Sequence, residues 1–306
     1  MAGVSETTAP GTSRTVDVDG PVHVVDYGGN PDGPVLVLVH GLGGSHLNWD
    51  LLAPRLTGAG RVLALDLPGF GRSEPGERRA GVPANVAVLG RFLDQVAGEP
   101  AVLVGNSMGG MISLLVAGEK PEAVSGLVLL DPAVPGPRRR FDPAVALVFA
   151  LYAVPLVGER FLRRRRTRSS STARVYDTLR LVGVDPATVP ADIIDRSVTL
   201  IDERRDVEGM DRAFLAAARS LLRVLADPRR YRRAMRSIAA PVLLVHGDRD
   251  RLVPVASARE IARRHPAWRY VELAGVGHVP QLQAPEAVAD ELLSWLTLTA
   301  GADVPS

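Results

Sequence analysis

The apolar residues of this 306-residue chain fall into short runs separated by longer segments with helical spacing. A short apolar run, bounded by glycine, proline or polar residues, indicates a strand covered on both faces, as in a parallel sheet. Val35–Val39 is the clearest such run, and five further segments are predicted to be strands: Arg61–Leu65, Val102–Val104, Val124–Leu130, Val242–His246 and Arg269–Leu273. Helical spacing predicts helices at Trp49–Leu56, Pro83–Val96, Met111–Ala117, Val255–Arg264 and Pro285–Leu296. This alternation of strands and helices is typical of an α/β protein.

The alternation stops after Pro132 and returns only after Pro241. The segment between these prolines predicts helices alone, at Pro143–Phe161, Thr172–Leu181, Ala191–Ile201, Arg212–Leu225 and Pro228–Met235. Near the start of the chain, Thr15–Val18 and Val22–Tyr27 alternate apolar and polar residues around a glycine turn. These two segments predict an antiparallel hairpin at a sheet edge.

We therefore expect an α/β fold with a mostly parallel central sheet, helices on both of its faces and an inserted helical lid. Residues 15–132 and 241–299 form the predicted core, and residues 133–240 form the lid. Residues 1–14 are predicted to be a disordered lead-in, because they lack the apolar segment of a signal peptide. Residues 300–306 are expected to be a tail.

Charge is distributed unevenly along the chain. The formal net charge is +2, yet residues 135–240 contain 22 arginines and only 12 acidic residues, so this segment carries +10 and the remainder −8. The run Arg163–Arg166 could meet anionic lipid headgroups or acidic partners, although we favour the alternative of a solvated arginine-rich face. Nucleic-acid binding is not expected, because no interleaved aromatic residues or recognised fold motif accompany the arginines.

Composition excludes several kinds of chemistry. The chain has no cysteine, so disulfides, cysteine-ligated metals and a thiol nucleophile are excluded. The longest apolar stretch, Ala144–Val157, contains Pro155 and is too short to span a bilayer as a helix. We expect a cytoplasmic protein, with peripheral membrane contact through the basic insertion as an alternative. The sequence predicts no oligomeric state.

The strongest chemical signal is the segment Gly105–Gly110, in which Ser107 lies between a strand and a helix. A serine on so sharp a turn needs small neighbours, and glycines at positions 105 and 109 meet that need. The strand–turn–helix context predicts a nucleophile elbow, and the residue after the serine, Met108, would offer a backbone N–H to an oxyanion. The alternative is a glycine-rich turn with an idle serine.

A nucleophilic serine requires a base that is itself oriented by a third group. His278 is the best candidate base, because it lies on a glycine-rich loop after the last predicted strand. The candidate acids follow the preceding strand in Gly247–Pro254, where Asp248 and Asp250 both occur. These positions lie beyond the carboxyl ends of strands, where open α/β sheets place their sites.

Five segments resemble the α/β-hydrolase fold superfamily, and the likeness covers about Val22–Leu296 apart from the insertion. They are His40–Gly43, Asp66–Ser73, Gly105–Gly110, Gly247–Pro254 and Gly277–Pro280. The resemblance implies that Asp250 is the triad acid, with Asp248 and Asp131 as alternatives. It also implies that Leu42 supplies the second oxyanion N–H group.

The resemblance implies a serine hydrolase that cleaves a carboxylic ester of a small molecule. The unusually apolar first helix of the insertion favours a substrate with an apolar acyl group. A thioesterase or a carbon–carbon bond hydrolase is the enzymatic alternative, and a ligand receptor of the same fold is the non-enzymatic one. The first helix of the insertion could wall an acyl pocket or simply pack on the core. No metal or cofactor is expected, because no group of His, Asp and Glu has metal-ligand spacing.

Overall fold

The computed structural model describes residues 11–135 and 142–302. Its centre is one eight-stranded sheet with the order β1-β2-β4-β3-β5-β6-β7-β8. The strands are β1 (Thr12–Asp17), β2 (Pro21–Gly29), β3 (Val35–Val39), β4 (Arg61–Leu65), β5 (Ala101–Asn106), β6 (Val124–Leu130), β7 (Val242–Gly247) and β8 (Arg269–Leu273). β1 pairs antiparallel with β2, and β2 pairs antiparallel with β4. The remaining pairs are parallel, so the predicted hairpin edge and mostly parallel sheet are confirmed.

Twelve helices are found in the described residues. They are α1 (Ala53–Leu56), α2 (Val82–Phe92), α3 (Met108–Glu119), α4 (Pro143–Ala153), α5 (Val157–Arg168), α6 (Ser171–Leu181), α7 (Ala191–Glu203), α8 (Met210–Ala226), α9 (Arg229–Ser237), α10 (Val255–Arg264), α11 (Pro280–Gln283) and α12 (Pro285–Ala302). Short 3₁₀ turns occur at His46–Trp49, Pro121–Ala123 and Pro186–Thr188, and a π-helical segment at Leu93–Ala97 extends α2.

Alternate side chains of each central strand enter different apolar layers, because successive residues of a strand point to opposite faces. Val37, Leu103 and Leu129 pack with α2 and α3 on one face. Leu38 and Val104 pack with α1 and α12 on the other. Both faces of the sheet are therefore covered by helices, which explains why the central strands are continuous apolar runs.

The segment between β6 and β7 contains the six helices α4 to α9 and no strand among its described residues. The last of them, α9, packs on α3, where a side chain at Gly118 would meet the backbone of Ala234. Helices α6, α7 and α8 contact the loops at the carboxyl ends of the strands, as described below. The division of the chain into core and lid stays a prediction.

The prediction of one helix over Pro143–Phe161 is wrong. The structure has two helices, α4 and α5, whose axes differ by 111° across a break at residues 154–156. Pro155 lacks an N–H group and clashes with the preceding helical turn, and Leu156 has φ +67. The continuous apolar character of this segment therefore concealed a sharp corner.

Both ends of the described chain are more ordered than predicted. β1 begins at Thr12, inside the expected lead-in, because Thr12 pairs with Asp26 of β2. Most of the lead-in, residues 1–10, lies outside the described residues. Helix α12 continues to Ala302, so the first three residues of the expected tail are helical. Among the described residues, no single helix is long and apolar enough to cross a membrane, although the bent pair α4 and α5 together reach that length and composition.

Candidate active site

Ser107 lies on a strained turn between β5 and α3. Its φ is +55, a value that few residues other than glycine adopt. The turn is held by its backbone, since Ser107 N–H donates to Leu130 O at 3.1 Å. There is no space for a larger residue beside it, because a Cβ on Gly109 would lie 2.0 Å from the Val39 carbonyl oxygen. The predicted strand–turn–helix context of the serine is therefore present.

The structure brings the three candidate triad residues together. Ser107 Oγ donates to His278 Nε2 at 2.8 Å, and His278 Nδ1 donates to Asp250 Oδ2 at 2.7 Å. His278 is separated from Ser107 by 171 residues of sequence and from Asp250 by 28. All three side chains are buried. This hydrogen-bond chain can carry a proton from the hydroxyl to the imidazole while the carboxylate holds the ring.

Asp250 is surrounded by hydrogen-bond donors. Its Oδ1 accepts from the backbone N–H groups of Leu252 at 2.7 Å and Val253 at 3.0 Å, which leaves Oδ2 for His278. Burial opposes ionisation of this carboxyl, but the adjacent His278 and His246 rings and the backbone donors lower the pKa of Asp250 below its usual value. Asp250 is therefore a carboxylate at neutral pH.

The two alternative acids have different surroundings. Asp131 is fully buried, and its Oδ1 accepts from Gly247 N–H at 3.0 Å. Burial and the negative charge of Asp250 raise the pKa of Asp131 well above its usual value, which favours the neutral carboxylic acid. Asp248 is exposed, and its Oδ1 accepts from Gly275 N–H at 2.7 Å in the turn after β8. Of the three acids, only Asp250 forms a hydrogen bond with His278 in the described structure.

The backbone N–H groups of Leu42 and Met108 donate to no group in the described residues. Met108 begins α3, whose first N–H groups lack partners within the helix and lie at its positive end. The loop that carries Leu42 is oriented by His40, whose Nδ1 donates to Gly41 O at 2.8 Å and whose Nε2 accepts from Leu67 N–H at 3.0 Å. Burial lowers the pKa of His40, which keeps this ring neutral and able to accept.

Three hydrogen bonds that hold the His278 loop were not predicted from the sequence. Asn106 Nδ2 donates to His278 O at 3.0 Å, directly beside the serine. Gln283 Oε1 accepts from Gly277 N–H at 2.7 Å. Val182, at the end of α6, accepts from His278 N–H through its carbonyl at 3.0 Å. The histidine is therefore held by the core and by the insertion together.

Helices of the insertion also lie against the glycine loop at residues 41–44. A Cβ on Gly43 would be 3.3 Å from the Phe214 ring of α8, and Phe214 packs edge-on to Tyr152 of α4 with ring centroids 5.1 Å apart. Between the loop and helices α6 and α7 lies a cavity of about 130 Å³. Its lining includes the apolar residues Leu179 and Ile193 together with the polar residues Asn48 and Arg204.

A second buried polar cluster surrounds Asp66. His23 and His46 are both buried and donate through Nδ1 to Asp66 Oδ2, at 2.8 and 2.9 Å. Asp66 also accepts from the backbone N–H groups of His46 and Arg72. Burial opposes its ionisation, but the histidine donors lower the pKa of Asp66. Asp66 thus connects the loop after β4 to the N-terminal hairpin through hydrogen bonds.

The chain is similar to known proteins over most of its length. A family model described as alpha/beta hydrolase fold matches residues 34–285. A pimeloyl-[acyl-carrier protein] methyl ester esterase from Aromatoleum aromaticum is 29% identical, over 84% of this chain and 95% of the esterase. An acetoin-cleaving dihydrolipoyllysine-residue acetyltransferase component from Pseudomonas putida is 31% identical over 88% of this chain, which spans 65% of that protein. The crystal structure of a membrane phospholipase A has a TM-score of 0.68 and 29% identity, covering 95% of this chain and 87% of the phospholipase.

Proposed function

The chain belongs to the α/β-hydrolase fold family, and from that membership we propose that it is a serine hydrolase that cleaves carboxylic esters through an acyl-enzyme on Ser107. One observation carries this proposal. Ser107 Oγ lies 2.8 Å from His278 Nε2, and His278 Nδ1 lies 2.7 Å from Asp250 Oδ2. A serine hydroxyl is a weak nucleophile until an oriented base removes its proton, and this arrangement supplies that base.

The reaction has two halves. Ser107 Oγ attacks the ester carbonyl carbon while His278 Nε2 takes the hydroxyl proton, which gives a tetrahedral oxyanion and an imidazolium. The alcohol then leaves with that proton, and the acyl group remains on Ser107. Water attacks the acyl-enzyme, His278 again acts as the base, and the carboxylic acid is released as Oγ regains its proton. Asp250 stays ionised throughout and orients the ring.

The oxyanion is assigned to the backbone N–H groups of Leu42 and Met108, which have no other acceptor in the described residues. Donors that are already aimed at the developing charge stabilise it without reorganisation. The N-terminus of α3 adds the positive end of the helix dipole at Met108. Side-chain substitution at these two positions would leave the N–H groups in place.

We base the expectation of an apolar acyl group on the cavity between the glycine loop and α6–α7. Nine of its lining residues are leucine, isoleucine or valine, which suit a hydrocarbon chain, and the cavity adjoins the glycine loop rather than Ser107 itself. The names of two relatives, a methyl ester esterase and a phospholipase, also support an ester as the substrate. We propose that helices α4 to α8 act as the cap over this site, with α6 and α7, rather than the first helix α4, forming the acyl wall.

The test is labelling with a fluorophosphonate probe, together with a chain-length panel of aryl esters and aryl thioesters. Ser107→Ala is expected to abolish both labelling and turnover. Ser113→Ala is a matched control, because Ser113 lies on α3, is buried and makes no side-chain hydrogen bond in the described structure. The control is expected to label and turn over like the wild type.

Each alternative reaction has its own result in this assay. Faster turnover of thioesters than of matched esters would favour a thioesterase. Labelling of Ser107 without turnover of any acyl substrate would favour a carbon–carbon bond hydrolase. A wild-type protein that neither reacts with the probe nor turns over any substrate would refute the hydrolase and favour a ligand receptor.

A further inference from the structure

An apolar corner stands out on the surface where α4 meets α5. Residues 153–157, Ala-Val-Pro-Leu-Val, are all exposed and carry no charge. Leu156 is 82% exposed and Val154 is 50% exposed, and Leu147 of α4 is 62% exposed. Isolated exposed apolar residues are ordinary, but a cluster of large ones marks an interaction surface. The only other large hydrophobic residue of comparable exposure in the described chain is Leu298, on α12.

The backbone conformation of the corner is held by specific hydrogen bonds. Leu156 has φ +67, which is unfavourable for a residue with a Cβ atom. Arg219 of α8 supports the corner from below: its Nε donates to Tyr152 O at 2.9 Å and its Nη2 to Val154 O at 3.3 Å. The same guanidinium pairs with Glu159 at 2.9 Å. Leu156 is thus held in an unfavourable backbone conformation with its side chain exposed, which indicates that the side chain contacts a binding partner.

Arginines continue from the corner along α5. Arg160, Arg164 and Arg168 follow Val157 at positions three, seven and eleven, so helical spacing places them on the same side as that valine. Arg163 lies at the margin of this side, and all four side chains are exposed. None of the four forms an ion pair with an acidic group of the described chain. Four uncompensated positive charges therefore adjoin the apolar tip.

We propose that the α4–α5 corner docks this protein on an anionic lipid bilayer. Leu156 and its apolar neighbours enter the boundary between headgroups and acyl chains, and the α5 arginines lie over the anionic headgroups. Apolar burial combined with basic residues is the usual basis of such peripheral attachment. A second copy of the chain is a poorer occupant, because a twofold contact would bring the same arginines face to face.

The experiment is vesicle co-sedimentation of the full chain with phosphatidylcholine vesicles and with vesicles containing phosphatidylglycerol, at low and high salt. The wild type is expected to bind the anionic vesicles, and binding is expected to weaken with salt. Leu156→Asn should weaken binding at least about tenfold, because it removes the apolar side chain. Asparagine tolerates the left-handed backbone conformation, so this variant should unfold at the same temperature as the wild type or higher. Leu298→Asn is the matched control and should bind normally.

The arginine test uses two double variants that change the net charge equally. Each basic side chain near an anionic surface strengthens binding roughly fivefold, so Arg160→Gln with Arg164→Gln should weaken it about 30-fold. Arg229→Gln with Arg263→Gln, two exposed arginines on other helices, should have little effect.

Three results would overturn the proposal. One is a wild type that binds neutral and anionic vesicles equally or binds neither. Another is an equal loss of binding in both arginine pairs or in both leucine variants. The last is a wild-type dimer, seen by analytical ultracentrifugation, that Leu156→Asn converts to a monomer, because the corner would then contact a second copy.

Discussion

Three aspartates compete for the role of the triad acid, and replacing each by asparagine separates them. We expect Asp250→Asn to lower kcat strongly, whereas Asp131→Asn and Asp248→Asn stay within about threefold of the wild type. Asparagine has the same shape as aspartate, so each change removes charge with little change in packing. The series therefore reports on which carboxylate stabilises the imidazolium.

The magnitude follows from the distance between the two side chains. His278 Nδ1 and Asp250 Oδ2 are 2.7 Å apart, and unit charges at this separation attract by about 6 kcal/mol when the effective dielectric constant is about 20. That energy corresponds to roughly four orders of magnitude in rate. Asparagine retains a dipole at the same place, so we expect kcat to fall by about 10³-fold to 10⁴-fold.

Asp131 should behave differently because it favours the neutral form. Burial and the charge of Asp250 raise its pKa and favour the neutral carboxylic acid, so an amide at this position removes less charge than the same change at Asp250. The amide oxygen of the substituted side chain can also accept from Gly247 N–H, as the carboxyl does. The assay is steady-state hydrolysis of an aryl ester, with circular dichroism to verify folding. An Asp250→Asn enzyme that retained more than a tenth of wild-type kcat, beside an Asp131→Asn enzyme that lost it, would refute this assignment.

Three further predictions concern the fold and the cavity. Gly109→Ala should lower the free energy of unfolding by about 3 kcal/mol in urea titrations, because its Cβ would lie 2.0 Å from Val39 O. Gly58→Ala is the control and should leave the free energy of unfolding unchanged, because a Cβ at position 58 would have no atom within 4 Å. Asp66→Asn should cost about 3 kcal/mol at pH 7, because it removes the acceptor of two buried histidines. The pKa of Asp66 is lower in the folded protein than in the unfolded chain, where it is about 3.9. The ionised carboxylate therefore stabilises the fold above that pH, and this stabilisation is lost as the pH falls further. Asp66→Asn should accordingly lose less stability than the wild type on acidification. Ile193→Phe should reduce turnover of long-chain relative to short-chain esters, because it narrows the cavity.

The sheet could be predicted well because the amino-acid composition of a strand reflects how deeply the strand is buried. A parallel strand covered on both faces must be apolar along its length, and β3, β4 and β6 have the bounds that their apolar runs predict. The same reasoning failed at the α4–α5 corner. Apolar composition there suggested one continuous helix, although Pro155 was already a signal for a break. Apolar residues on the surface carry no periodic signal that distinguishes them from a core helix.

The positions of the candidate triad residues followed from their places after strands, but their supports did not. Asn106 and His278 are 172 residues apart in sequence, and the bond between them joins a side chain to a backbone carbonyl. A backbone acceptor such as Val182 O has no residue-specific signature. The burial of His23 and His46 has no sequence signature for a similar reason, since it depends on Asp66, which lies 43 residues from His23.

The contact between Val182 and His278 bears on how a cap over this site can move. His278 N–H donates to the Val182 carbonyl at 3.0 Å, and a side chain at Gly277 would lie 2.9 Å from that same oxygen. If helix α6 moved away from the histidine loop, this bond would break and the loop would lose the support that the insertion gives it. Movement that admits a substrate is therefore expected on the other side of the insertion, where Leu42 of the glycine loop packs against the apolar cluster of α4 and α8. Attachment of the α4–α5 corner to a bilayer would then act on the part of the proposed cap that is expected to open while His278 stays in place.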